Sequence, residues 1–307
     1  MKNVMRAGLV LSVCVAVVQT LPAQAADKAP KGLRVVSDQA ASGFKFPESV
    51  AYDPKAKVLY VGQFGSELKP AEKDGQGKIS KVALDGKVLE DRFLPAAGET
   101  LNKPKGIWVK GDRLWVTDID VIWVFDLKTR KGRKLDLPGM GFANDPTVIG
   151  NDLYISDNRN DLLYRVSPAD FLNHKDKPEI GVVFAGKGIN PNGLYPAKDG
   201  SILVGGFMSA EKPRGLYAVT KEGDVKALSK ELGRIDGIYQ MADGSLLVTD
   251  WNSGSLARWS QKSGLEPLAK GFKGPADFTV IPGTKGGLTV VVPDLAKSEL
   301  RIIKLAQ

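Results

Sequence analysis

The stretch Arg234-Ile-Asp-Gly-Ile-Tyr-Gln-Met-Ala-Asp-Gly-Ser-Leu-Leu-Val-Thr-Asp-Trp-Asn252 carries a pattern from which the rest of the chain can be laid out. A polar residue followed by Gly opens a short apolar strand, Ala242-Asp243-Gly244 turns it, and a second apolar strand ends at Asp250. Five other stretches share this plan. They start at Glu48, Lys105, Asn144, Asn192 and Ala276, and their second strands run over 58–61, 114–118, 153–157, 202–206 and 288–292. Successive starts lie roughly 40 to 60 residues apart, and a recurring unit of that size built on paired strands marks a β-propeller blade. Six such units predict an all-β fold, a six-bladed β-propeller with four-stranded antiparallel blades.

Two segments lie outside the repeats. A strand over Gly32–Val36 precedes the first unit and another over Leu300–Leu305 follows the last. A ring of blades has two loose ends, so the N-terminal strand is expected to complete the final blade. In blade five the four strands are expected near 237–241, 245–250, 256–260 and 265–270, with Asp-Gly and Ser-Gly steps supplying the positive φ of tight hairpins. Two insertions interrupt the plan. One is a polar loop over 65–77, a candidate lid or specificity loop. The other is 171–178, for which Ser167-Pro168 suggests a helical turn.

Lys2 and Arg6, the apolar run from Ala7 to Val18 and Ala23-Gln24-Ala25 read as a secretory signal peptide cut after Ala25. The expected organisation is residues 1–25 as leader and 26–307 as a single propeller domain. The product would be periplasmic or secreted, monomeric and without a transmembrane segment, since no later stretch approaches about 18 apolar residues. Cleavage removes Cys14, the only cysteine, so neither disulfides nor thiol chemistry are expected. Loss of Lys2 and Arg6 takes the formal charge from +8 to +6, with the lysines scattered. Without a basic cluster interleaved with aromatics, nucleic acid is not an expected partner.

In a propeller the first strand of each blade lines the central channel and starts at one mouth. Glu48, Lys105, Asn144, Asn192 and Asp236 should therefore converge near the axis, with Gln63, Asp118, Asp120, Asp157, Asn158, Asp250 and Trp251 around them. Two carboxylates and two amide oxygens withdrawn from water repel unless a cation sits among them. An all-oxygen set suits a hard divalent ion such as Ca²⁺ or Mg²⁺. The plainer alternative is that Asn and Asp before Gly are turn residues bonded to their own backbone.

Pro47-Glu48-Ser49, Ala143-Asn144-Asp145, Pro191-Asn192-Gly193 and Ile235-Asp236-Gly237 also resemble, in order and phase, the Glu, Asn-Asp, Asn-Gly and Asp-Gly elements of the six-bladed senescence marker protein/gluconolactonase family, which is related to the paraoxonases and diisopropylfluorophosphatase. The resemblance runs over residues 32 to 307. It implies a catalytic divalent metal, Ca²⁺ first with Mg²⁺, Mn²⁺ or Zn²⁺ as alternatives, held by Glu48, Asn144, Asn192 and Asp236. It further implies hydrolysis of a small-molecule lactone or ester, with Asp236 or a second carboxylate orienting or deprotonating water; Lys105, Asp145 and Trp251 are the candidate substrate contacts. The sequence departs from the family at Gly141-Phe142, where a substrate-contacting Arg is expected and no basic residue stands; Lys105 is the candidate replacement.

Two other readings stay open. The same mouth in a non-catalytic propeller would bind a sugar, peptide or envelope protein. A metal-free NHL-like or strictosidine-synthase-like propeller would leave Glu48 and Asp236 as turn or salt-bridge residues, with Lys105 bonded between them. The single histidine, His174, falls in the second insertion beside Lys175 and Asp176 and is expected at the surface. Of the five tryptophans, Trp108, Trp115, Trp123 and Trp259 are expected between blades and Trp251 at the mouth.

Overall fold

A computed structural model describes residues 32–306, so the expected leader and Cys14 lie outside the described residues. Six four-stranded antiparallel sheets are arranged as consecutive blades. Their inner strands are Pro47–Asp53, Pro104–Lys110, Ala143–Ile149, Pro191–Pro196, Ile235–Gln240 and Thr279–Pro282. The strand Arg34–Ala41 pairs antiparallel with Glu299–Ala306, Arg34 opposite Ala306 and Leu300 opposite Ala41, and so forms the outer strand of blade six as expected. At the axis the ring is closed by Asp277 N–H donating to Glu48 O at 3.2 Å.

The burial pattern explains the strand sequences. Second strands such as Val58–Gln63 are buried along their whole length because neighbouring blades cover both faces, and they read as continuous apolar runs. Outer strands such as Val88–Leu94 alternate toward solvent. The core is partitioned by blade interface. Ile122, Val124 and Leu135 of blade two meet Leu153, Ile155 and Val166 of blade three, and Leu59 and Val61 of blade one meet Val291 and Ile302 of blade six. Phe125, Leu114 and Val116 in turn pack on Tyr60, Ile79 and Phe93. Closing the ring thus buries the same kind of apolar surface as any other interface, at roughly 25 cal/mol per Å² removed from water.

Blade five has strands Ile235–Gln240, Leu246–Asp250, Ser255–Ser260 and Gly264–Lys270, within two residues of expectation. The Asp243-Gly244 turn is tight, with Gly244 at φ 85° and Asp243 Oδ1 accepting from Ser245 N–H at 3.0 Å. The helical turn expected after Ser167-Pro168 is absent. Residues 168–178 form turns and bends, and Phe171 is drawn fully into the core beside Trp115 and Ala169, which fixes the backbone in a non-helical path. Among the described residues the only helices are short 3₁₀ turns at Thr284–Gly286 and Leu295–Lys297, and none is long and apolar enough to cross a membrane.

Candidate functional site

At the mouth the inner strands share one irregularity. Register shifts fall between Pro47 and Ser49, Pro104 and Ile107, Ala143 and Pro146, Pro191 and Leu194, and Ile235 and Ile238. These bulges contain Glu48, Lys105, Asn144, Asn192 and Asp236. A bulge bends the strand and re-aims its side chain, and all five residues are buried at the axis. The glycines that follow answer to packing, since a Cβ on Gly106 would lie 2.6 Å from Asp145 Cα and one on Gly193 would overlap the Asp236 carbonyl oxygen. Polar-then-Gly therefore marks the close approach of adjacent inner strands more than a turn.

Second-strand hydroxyls lock these bulges to the next blade. Thr249 Oγ1 accepts from Gly237 N–H at 2.7 Å and donates to Ala276 O at 3.0 Å. Ser156 Oγ accepts from Asp145 N–H at 2.9 Å and donates to Asn192 O at 2.6 Å. Thr117 Oγ1 does the same for Gly106 N–H and Asn144 O.

The aspartates that end the second strands are not at the axis. Asp118 accepts from Asn102 and Lys103 N–H, each at 2.7 Å. Asp157 accepts from Gly141 N–H at 2.9 Å and Asp250 from Arg234 N–H at 3.0 Å. Each holds the loop leading into its inner strand. Gln63 plays the same part by accepting from Lys45 N–H at 2.7 Å, while Asp120 lies outside and pairs with Lys73 at 2.6 Å. The loop 65–77 is pinned down: the fully buried Lys103 Nζ donates to Phe64 O at 3.0 Å and Asp74 Oδ2 at 2.5 Å.

On the inner strands Glu48 Oε2, Asn192 Oδ1 and Asp236 Oδ1 are buried without a hydrogen-bond partner, as is Asn158 Oδ1 directly after the second strand of blade three. The other Asp236 oxygen accepts from Trp251 Nε1 at 2.8 Å, which places Trp251 at the mouth. Burial pushes the Asp236 carboxyl up to about 7, partly offset by the Trp251 hydrogen bond. Glu48 is raised well above the carboxylate range by burial and then by repulsion from Asp236, against a smaller pull from Lys105. Burial lowers Lys105 to about 8, opposed by the Glu48 charge. Lys105 is not bonded between the two acids. Its Nζ reaches Lys103 O at 3.5 Å and lies 4.2 Å from the Phe142 ring centre, a cation–π contact.

Two carboxylates and two amides fit a hard cation by donor type, and the unpartnered oxygens are the atoms such an ion would satisfy. Among the described residues no three His, Cys, Asp or Glu side chains form a metal-holding group, so any ion at the mouth depends on the asparagines. Asp145 does not stand with these four. Its Oδ2 accepts from Leu194 N–H at 2.6 Å across the Gly193 gap, and it lines a deeper chamber together with Asp277.

Sequence reasoning missed an aromatic and basic rim. Arg159, exposed, stacks at 3.9 Å on Phe142, and Arg234 lies 5.5 Å from Phe207 and 5.7 Å from Trp251. Arg159 thus supplies positive charge beside Phe142, from the turn after the second strand of blade three. The signal was available, because Phe64, Phe207 and Trp251 each directly follow a second strand. His174 is exposed, in the loop joining the third and fourth strands of blade three at the end opposite the mouth.

No protein-family model and no curated protein matches the chain. Solved propellers share its fold. A putative gluconolactonase aligns at TM-score 0.61 and 14% identity over 90% of this chain and 93% of that one. A streptogramin B lyase aligns at 0.56 and 16% over 88% and 98%. A catalytically inactive virginiamycin B lyase from Staphylococcus aureus with quinupristin aligns at 0.56 and 14% over 90% and 100%. At these identities the likeness is one of fold.

Proposed function

We propose that the channel mouth is a metal-dependent hydrolase site for lactone-like esters on an exported protein, with Glu48, Asn144, Asn192 and Asp236 holding a divalent ion, Ca²⁺ foremost. The observation that carries this reading is the set of three buried oxygens without partners, drawn from three different blades at one end of the channel. Buried acceptors left bare cost about 1–3 kcal/mol each, so a fold that keeps three in one place keeps them for a ligand. The putative gluconolactonase among the structural neighbours is consistent with this choice.

A divalent ion bound there would supply Lewis acidity at the ester carbonyl. The chain's own residues do the rest. Trp251 N–H fixes the Asp236 carboxyl, placing it to orient a water or take its proton. Lys105, held against Phe142, offers a charge to the oxyanion. Phe64, Phe142 and Phe207 line the approach, and Arg159 and Arg234 draw anionic substrates toward it.

Metal content and turnover of a lactone and ester panel test the reading. A stoichiometric metal, turnover lost on chelation and restored by Ca²⁺, and loss of both in Glu48→Gln are expected. Unchanged turnover in chelated protein and in Glu48→Gln would overturn it. The second reading, a non-catalytic binding platform, is favoured by the same rim of Arg159 on Phe142 and Arg234 beside Phe207 and Trp251, which suits an anionic ligand. It predicts metal and ligand binding without turnover.

A further inference from the structure

Beyond the mouth lies a second chamber that the hydrolase reading does not use. It is a cavity of about 180 Å³, formed by the middle and far ends of the inner strands, and so lies toward the opposite face. Its walls are aromatic. Tyr195 sits edge-on between Tyr239 at 5.0 Å and Trp108 at 6.3 Å between ring centres, and Tyr52 and Phe278 continue the lining. On its mouth side stand Asp145 and Asp277.

These carboxylates lack compensation. Asp145 is 4% exposed; one oxygen accepts from Leu194 N–H and the other receives no hydrogen bond among the described residues. Asp277 is partly accessible, toward the cavity it lines. No Lys, Arg or His among the described residues pairs with either within 4.0 Å. Lys105, buried at the channel, is turned toward Lys103 O and Phe142 at the mouth. A buried carboxylate without a partner cation is costly.

We propose that this chamber binds a small organic ammonium ion, primary or quaternary, with its charge against Asp145 and Asp277 and its carbon substituents against Trp108, Tyr195 and Tyr239. Aromatic faces attract such ions by cation–π contact, most strongly when desolvated. A hard divalent cation wants six or more oxygen ligands, and rings cannot supply them. The volume is small against the roughly 300–1,000 Å³ of pockets for drug-sized ligands, which restricts the occupant to a headgroup-sized ion.

Choline and its uncharged isostere 3,3-dimethylbutan-1-ol are the probes, titrated calorimetrically into the protein in the presence of chelator and again with Ca²⁺. The site does not depend on a metal at the mouth, so the outcome is separate from the hydrolase reading. Saturable choline binding at least about tenfold tighter than the alcohol is expected. Asp277→Asn and Tyr239→Leu should each weaken it about tenfold, with folding verified by circular dichroism. Tyr239→Leu leaves both acids in place and serves if Asp277→Asn does not fold. No binding, equal affinity for the two probes, binding unchanged in both variants, or one-for-one displacement of choline by Ca²⁺ would each overturn the proposal.

Discussion

Replacing Asp236 by Asn should reverse its effect on stability according to whether metal is present. In metal-free protein the Asp236 carboxyl is raised from 3.8 to about 7. The folded state therefore binds its proton more tightly than the unfolded state, and this group's contribution to stability falls as pH rises from about 4 to about 7. At about 1.36 kcal/mol per unit, three units amount to on the order of 4 kcal/mol at pH 8. Glu48 is raised by its own burial and by the Asp236 charge, so the two carboxyls titrate together and the share of Asp236 comes to about 2–4 kcal/mol. Asn keeps an oxygen for Trp251 Nε1 and carries no charge. Chelated Asp236→Asn should thus melt about 3–7 °C above chelated wild type at pH 8 and show little difference below pH 4. With Ca²⁺ at a hundredfold excess over its Kd the wild type gains about 2.7 kcal/mol, while the variant gains little. Scanning calorimetry at both pH values, with and without Ca²⁺, reads all four cases. A variant that melts lower than wild type in chelator at pH 8 would refute the reasoning, because Asp236 would then be a satisfied structural carboxylate.

Four further outcomes follow from the geometry. Lys103→Met leaves Asp74 and the Phe64 carbonyl without their buried partner; a cost of about 3 kcal/mol and proteolytic cleavage within 65–77 ahead of global unfolding are expected by limited proteolysis. Thr249→Val strips the hydroxyl joining Gly237 N–H to Ala276 O and should cost about 1–3 kcal/mol by denaturant unfolding. Gly193→Ala must push the Asp236 carbonyl away, so a loss of about 3 kcal/mol or more is expected together with loss of any metal site. Lys105, lowered to about 8, leaves the unfolded chain with more bound protons between about pH 8 and 10.5, so its contribution to stability rises across that window. Lys105→Met should flatten that rise in a pH series of melting temperatures.

Blade number, strand order and ring closure were legible because each blade repeats the same burial problem. A second strand covered on both faces must read as an apolar run, and six such runs at a common spacing admit few architectures. The phase of the polar residues was legible for a related reason, since only a residue in the bulge at the start of an inner strand can reach the axis. The insertion 168–178 was not legible, because the burial of Phe171 against Trp115 is a contact between distant parts of the chain that overrides local helix signals.

The roles of the aspartates show where phase alone stops. Asp236 and Asp250 look alike in sequence, each next to a Gly or a strand end, yet Asp250 is satisfied by Arg234, Asn252 and Ser253 N–H groups whereas Asp236 keeps one oxygen bare. What separates them is the bulge. On the inner strand it turns the side chain toward the axis, away from its own backbone, so that Asp236 meets the Trp251 N–H and the fields of Glu48 and Asp277. At the end of the second strand no bulge intervenes, and the carboxylate folds back onto the loop beside it. The same device at Asn144-Asp145 presents two consecutive polar residues, and one backbone distortion thereby serves two chambers, Asn144 at the mouth and Asp145 in the chamber beyond. A propeller that spends a bulge on every inner strand but the last gives up ladder hydrogen bonds in five blades. The recurrence of that loss at one end of one channel is the physical argument behind the proposal that the mouth binds a ligand.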